Sequence, residues 1–106
     1  MRVIYVAGKY RADTENGVFE NIIHARREAQ RLWQKGWAVI CPHTNSMFMG
    51  SMLANEVFMQ GDLEIVRRCD AIYMLSNYKD SEGALRELEL AKELGLKIYY
   101  EHGTTN

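Results

Sequence analysis

Glu87 lies six residues after Ser81, in the stretch Asp-Ser-Glu-Gly-Ala-Leu-Arg-Glu-Leu that follows the apolar run Ala71 to Leu75. The apolar run reads as a buried strand, and Ser81-x-Gly83 opens a helix. A carboxylate just inside a helix that starts at a strand's C-terminal end faces the crevice where open α/β sheets bind ligands. Asp62 reads as the N-cap or first-turn residue of the preceding helix and reaches the same edge. Two carboxylates around one pocket suit chemistry at an acetal-like carbon, such as the anomeric carbon of a sugar. Each also has a plainer reading: Glu87 as a surface charge, Asp62 as a helix start.

The other candidates sit near that edge. Gly8 follows the first strand and lets a ligand approach the backbone. Lys9 and Arg11 flank it and can neutralise a phosphate, or be solvated loop cations. Tyr10 and Tyr78 can stack on a base, and His43 and Asn45 follow the second strand where they can contact a base or sugar. Ser81 and Gly83 begin a helix whose free N–H groups favour an anion, although Ser81 is equally a plain N-cap. Glu82 complements the helix dipole, and Glu89 points about 200° away from Glu87 by helical geometry. Tyr5, inside the first strand, is core or a hydrogen-bond donor to a catalytic carboxylate.

Several chemistries lack their signatures. The lone Gly8 makes neither a dinucleotide fingerprint nor a P-loop. No His, Cys or carboxylate pair has metal-ligand spacing, and no Ser/His/Asp elbow is present, so neither metal nor cofactor is expected. Cys41 and Cys69 form no Cys-x-x-Cys pair and read as buried thiols. The formal net charge of −1 offers no field for a polynucleotide or a membrane surface, while a single nucleotide, which needs only a local anion site, stays possible. The N-terminal apolar run is too short for a signal peptide, and no stretch approaches the ~20 apolar residues of a transmembrane helix. A cytoplasmic protein is expected.

The elements that must position these residues alternate. Residues 2 to 7 form a central strand, Phe19 to Lys35 a helix with Ile22, Ala25, Ala29, Leu32 and Trp33 on one stripe, and Trp37 to Cys41 a second strand. His43 to Gln60 reads as a loop plus a short helix. Its Met47, Phe48, Met49, Met52, Leu53, Val57, Phe58 and Met59 cover the pocket, meet another subunit or simply finish a small core. A helix from Asp62 to Arg68 precedes the third strand, Asp70 to Ser76. Glu82 to Leu94 is the next helix, with Leu85, Leu88, Ala91 and Leu94 inward, and Leu96 to Tyr100 the last strand. Gly95 stops that helix, and the tail Glu101 to Asn106 frays. The alternation predicts a parallel sheet in the order 2-1-3-4, with the ligand site at the switch point between the first and third strands. The chain of 106 residues makes one domain, 1–106, and its surplus of apolar residues predicts a homodimer or larger homo-oligomer.

Tyr5-x-x-Gly8, Asp62 eight residues before Asp70, and Ser81-x-Gly83-x-x-x-Glu87-Leu88-x-x-Ala91 resemble the nucleoside 2-deoxyribosyltransferase family. The likeness is greatest to its small phage and bacterial branch of 2'-deoxynucleoside 5'-monophosphate N-glycosidases, and it runs from Val3 to about Tyr99. It implies a flavodoxin-like (Rossmann-like) three-layer α/β sandwich with a parallel sheet of four to five strands. It also implies Glu87 as nucleophile, Asp62 as the carboxylate assisting base departure, and Tyr5 as the residue orienting the nucleophile. Gly8, Ser81 and Gly83 match the sugar- and phosphate-binding loops. Two features depart from the family pattern. Only Glu101 to Asn106 stand where family members carry a longer region that completes a neighbouring subunit's site, and Lys9 replaces a small residue.

The resulting expectation is cleavage of the N-glycosidic bond of 2'-deoxynucleosides or their 5'-monophosphates, by hydrolysis or base exchange, through a glycosyl-enzyme intermediate. The alternatives are a non-catalytic nucleotide or nucleotide-sugar binding module, and an interaction protein that uses the Met- and Phe-rich segment 47–59.

Overall fold

β1 (Val3–Ala7) runs through the middle of the sheet, and its side chains alternate between two apolar layers. The computed structural model describes residues 1–47, 49 and 52–103. Chain order continues with α1 (Glu15–Gln34), β2 (Ala38–Ile40), the single turn α2 (Pro42–Asn45), α3 (Asn55–Arg67), β3 (Ala71–Met74), α4 (Glu82–Leu94) and β4 (Lys97–Tyr100). All strand pairs are parallel, in the order β2-β1-β3-β4, as the alternation predicts. β1 and β3 therefore lie side by side with their neighbours on opposite flanks, which is the switch point.

Tyr5, Ala7, Ile72 and Met74 face α3 and α4, where Val66, Ala84, Leu88 and Ala91 meet them. Ile4, Val6 and Leu75 face α1, where Ala25, Ala29 and Leu32 meet them. Burial on both faces explains why these strands are nearly continuous apolar runs.

α4 begins and ends where its sequence directs. Ser81 Oγ accepts the Ala84 N–H at 3.0 Å, and Gly95 closes the helix in the left-handed region at φ +72°. α1 starts at Glu15, earlier than the apolar stripe alone predicts, because Thr14 caps it by accepting the Gly17 N–H at 3.0 Å. α3 differs most from expectation. It starts at Asn55, so Asp62 lies in mid-helix rather than at an N-terminus. Gly61 resembles a break, but the helix continues through it because Met59, Asp62 and Val66 share the face turned to α4 and the sheet. Trp33, Leu85 and Leu94, expected inward, are exposed at the margins of their stripes. Glu101, expected in a frayed tail, is 5% exposed and bonded, while 104–106 and Phe48 lie outside the described residues. No helix among the described residues is long and apolar enough to cross a membrane.

Candidate active site

Glu87 occupies an inward position of α4. Ala84, Glu87, Leu88 and Ala91 follow one another at helical spacing, and all four are buried. The adjacent sheet residue is Tyr5, and its hydroxyl donates to Glu87 Oε2 at 2.5 Å. Burial pushes the Glu87 carboxyl up to about 8. The Tyr5 hydrogen bond pulls it down, and the charge of Asp62 adds to the rise. Tyr5 is held well above its ordinary range by burial, then by the charges of Glu87 and Asp62. Asp62, partly buried on α3, is pushed up to about 6 by burial. Asp62 thus stands close enough to perturb both Tyr5 and Glu87, and three elements (β1, α3 and α4) converge on one acidic cluster.

A second group gathers where β1 and β2 end. Lys9 donates its N–H to Asn77 Oδ1 at 2.9 Å, and its carbonyl accepts from His43 Nε2 at 3.0 Å. His43 is 4% exposed, and burial lowers its pKa. Its Nδ1 is buried without a hydrogen-bond partner. The Tyr10 ring lies 5.8 Å from the His43 ring, and Asn21 Nδ2 donates to the carbonyls of Tyr10 and Arg11. Arg11 and Asn45 are exposed.

The glycines are explained first by packing. A Cβ on Gly8 would stand 2.5 Å from Leu75 Cδ1 and 2.9 Å from Asn77 Oδ1. A Cβ on Gly83 would stand 3.0 Å from Met59 Cε. At Gly83 the space left by the missing side chain is taken by a flexible methionine of α3. Ser81 is the N-cap beside it.

Two polar residues, Glu28 and Glu101, escape the sequence reading. Glu28 is buried on the α1 face, where Tyr73 donates to its Oε1 at 2.8 Å. Its signal was present: it falls three residues after Ala25 and four before Leu32, the same inward spacing that Glu87 has on α4. Glu101 accepts the Ser76 N–H at 2.7 Å and lies 3.0 Å from His24 Nε2. Asn77 is placed by sequence at the switch-point edge after the third strand, and the fold adds its bond to Lys9. Cavities bounded by described residues lie elsewhere on the fold. One of about 390 Å³ beside α1 is lined by Glu28, Trp37, Tyr73 and Tyr99 among others, and one of about 160 Å³ by Ser76, Tyr78 and Glu101 among others. Neither is lined by Tyr5, Asp62 or Glu87. Among the described residues, no three His, Cys, Asp or Glu side chains gather as a metal site requires.

Solved structures share this architecture. A 2-deoxyribosyltransferase from the psychrotolerant bacterium Bacillus psychrosaccharolyticus matches 98% of this chain and 76% of its own, with a TM-score of 0.68 and 22% identity. A 2-desoxiribosyltransferase from Leishmania mexicana matches 94% of this chain and 63% of its own, with a TM-score of 0.58 and 22% identity. At that identity the likeness is one of fold. No curated protein matches the chain. A family model described as a domain of unknown function, DUF4406, matches residues 2–100, and the chain belongs to that family.

Proposed function

We propose that this protein cleaves the N-glycosidic bond of 2'-deoxynucleosides or their 5'-monophosphates. The observation that carries the reading is the buried Tyr5–Glu87 hydrogen bond with Asp62 beside it. The two solved structures of similar fold, which their descriptions call deoxyribosyltransferases, support the substrate class.

Glu87 attacks the anomeric carbon, forming a C–O bond as the C–N bond to the base breaks. Asp62 delivers a proton to the departing base. Tyr5 donates to the Oε2 of Glu87, which leaves Oε1 to attack and fixes the carboxylate plane. The glycosyl-enzyme is then resolved by water, giving hydrolysis, or by a second base, giving transfer. Sugar and 5'-phosphate contacts fall to Gly8, Lys9, Arg11, Ser81 and Gly83, and base or sugar contacts to Tyr10, His43 and Asn45. Metal and cofactor have no part in this scheme.

The proton inventory is demanding. Burial raises both carboxyls and Glu87 the further, so a single shared proton rests mainly on Glu87. The productive arrangement is the minor one, with Glu87 ionised and Asp62 protonated. The Tyr5 hydrogen bond shifts that balance toward it.

The same reading has the chain assembling with copies of itself. Met49, Met52, Leu53 and Val57 are all exposed and apolar, and they cluster in sequence before Asp62. Light scattering at micromolar concentration tests this, and a monodisperse monomer of about 12.3 kDa overturns it.

The decisive experiment incubates the protein with deoxynucleosides and their 5'-monophosphates and measures free base by chromatography. Release by the wild type and not by Glu87→Gln is the expected result. Equal rates for the two proteins overturn the mechanism. A binding-only reading draws on Glu87 being 6% exposed. Its signature is a ligand-dependent rise in Tm with no base released.

A further inference from the structure

The C-terminal ends of the four strands are tied by side-chain hydrogen bonds in the order of the sheet itself. Past β4, Glu101 Oε1 accepts the N–H of Ser76, which stands past β3, at 2.7 Å. Past β3, Asn77 Oδ1 accepts the N–H of Lys9, which stands past β1, at 2.9 Å. Past β1, the Lys9 carbonyl accepts from His43 Nε2, past β2, at 3.0 Å. One bond joins each neighbouring pair of β2-β1-β3-β4. The outer end closes on α1, where His24 Nε2 lies 3.0 and 3.1 Å from the two oxygens of Glu101.

Asn77 is the central link. The connection that contains it runs from β3 to the N-cap Ser81, and so leads into the helix that carries Glu87. Lys9 opens the β1–α1 loop. A backbone N–H can only donate, so the Asn77 oxygen must face Lys9 and its NH₂ group must face away. Gly8 permits the approach: any Cβ there would stand within 2.9 Å of both the Leu75 side chain and Asn77 Oδ1.

We propose that Asn77 is a positioning residue that holds the Lys9–Arg11 loop in register with the Glu87 helix, with Glu101 as the anchor behind it. The kinetic consequence rests on the glycosidic reading of the site, and the structural consequence does not. Losing the Asn77 acceptor releases the loop that meets the sugar and phosphate. It leaves Tyr5, Glu87 and Asp62 in place. Substrate binding weakens while the chemical step persists.

The test combines amide hydrogen exchange by NMR with steady-state kinetics. In Asn77→Ala the Lys9 amide exchanges about tenfold faster, and KM rises about tenfold with kcat within about twofold of wild type. Asn77→Asp keeps the acceptor and restores both protection and KM, measured on an uncharged deoxynucleoside. Glu101→Leu speeds exchange at Ser76 and also at Lys9, whereas Glu101→Gln, which keeps an acceptor, does neither. An unchanged Lys9 amide in Asn77→Ala, an effect of Glu101→Leu confined to Ser76, or a loss in kcat rather than KM overturns the proposal. A wild type that releases no base defeats the glycosidic reading, and the exchange measurements still decide the network. Should Asn77→Ala not fold, failure of Asn77→Asp to protect Lys9 overturns the proposal by itself.

Discussion

The Tyr5 hydroxyl donates to Glu87 Oε2 at 2.5 Å across 82 positions of sequence, and both residues are buried. A buried carboxyl that meets one hydroxyl in an apolar layer is costly to ionise. Its cost is what makes the site sensitive to pH and to single substitutions.

Tyr5→Phe removes a donor that favours the ionised form of Glu87. The Glu87 pKa rises further, above about 8. The rate of base release falls roughly 10- to 100-fold, equivalent to about 1.4–2.7 kcal/mol of barrier. Its alkaline limb moves to higher pH. Base release against pH for the two proteins checks this, and a limb that stays in place removes Tyr5 from the mechanism.

The pH profile of kcat/KM is bell-shaped. In the proposed mechanism the pair must hold one proton, so activity is expected to rise through about 6 and fall through about 8. Asp62→Asn removes the acid. It costs about 10²–10⁴-fold on an unactivated base. The penalty is far smaller with a leaving group that departs without protonation, so comparing two leaving groups on the same variant isolates the role of Asp62. A uniform loss with both substrates argues against acid catalysis there.

Stability has its own dependence on pH. Glu87 has a folded pKa raised from 4.5 to about 8. The folded state therefore binds more protons than the unfolded chain between those values. Stability is full below about 4.5 and is lost as pH rises through about 8, by about 3–5 kcal/mol from this one group. Glu87→Gln flattens that slope and raises Tm at pH 8.5. Glu101 acts with the opposite sign. Burial raises it, but the Ser76 N–H and His24 bonds outweigh that and hold it below its ordinary 4.5, so its contribution is lost under acid. Urea titrations from pH 4 to 9 on wild type and Glu87→Gln test the first claim.

Two glycines separate packing from propensity. Gly8→Ala forces a Cβ to 2.5 and 2.7 Å from Leu75 side-chain atoms, and destabilises the protein by about 1–3 kcal/mol. Gly61 has nothing within 4 Å of its would-be Cβ and lies inside α3. Gly61→Ala stabilises by about 0.5–1 kcal/mol. Thermal melts should move in opposite directions, by about 4–8 °C per kcal/mol for a domain of this size.

The sequence by itself determined the elements whose signals are local. α4 spans Glu82–Leu94, as predicted, because a serine cap and a left-handed glycine mark its two ends within the chain. The sheet order β2-β1-β3-β4 followed from alternation, since parallel crossovers admit few arrangements. Its place just inside a helix that follows the third strand put Glu87 at the ligand edge, and the family resemblance paired it with Tyr5. Tertiary structure decided what depends on distant partners. α3 runs unbroken through Gly61 because its packed face outweighs a local preference of about 1 kcal/mol. Trp33, Leu85 and Leu94 stay exposed because periodicity locates a stripe but not its width. Glu28, Asn77 and Glu101 find their partners 45, 68 and 25 positions away. No local pattern encodes such a bond: a polar side chain on an inward or edge position is costly or stabilising only according to what the folded chain brings opposite it.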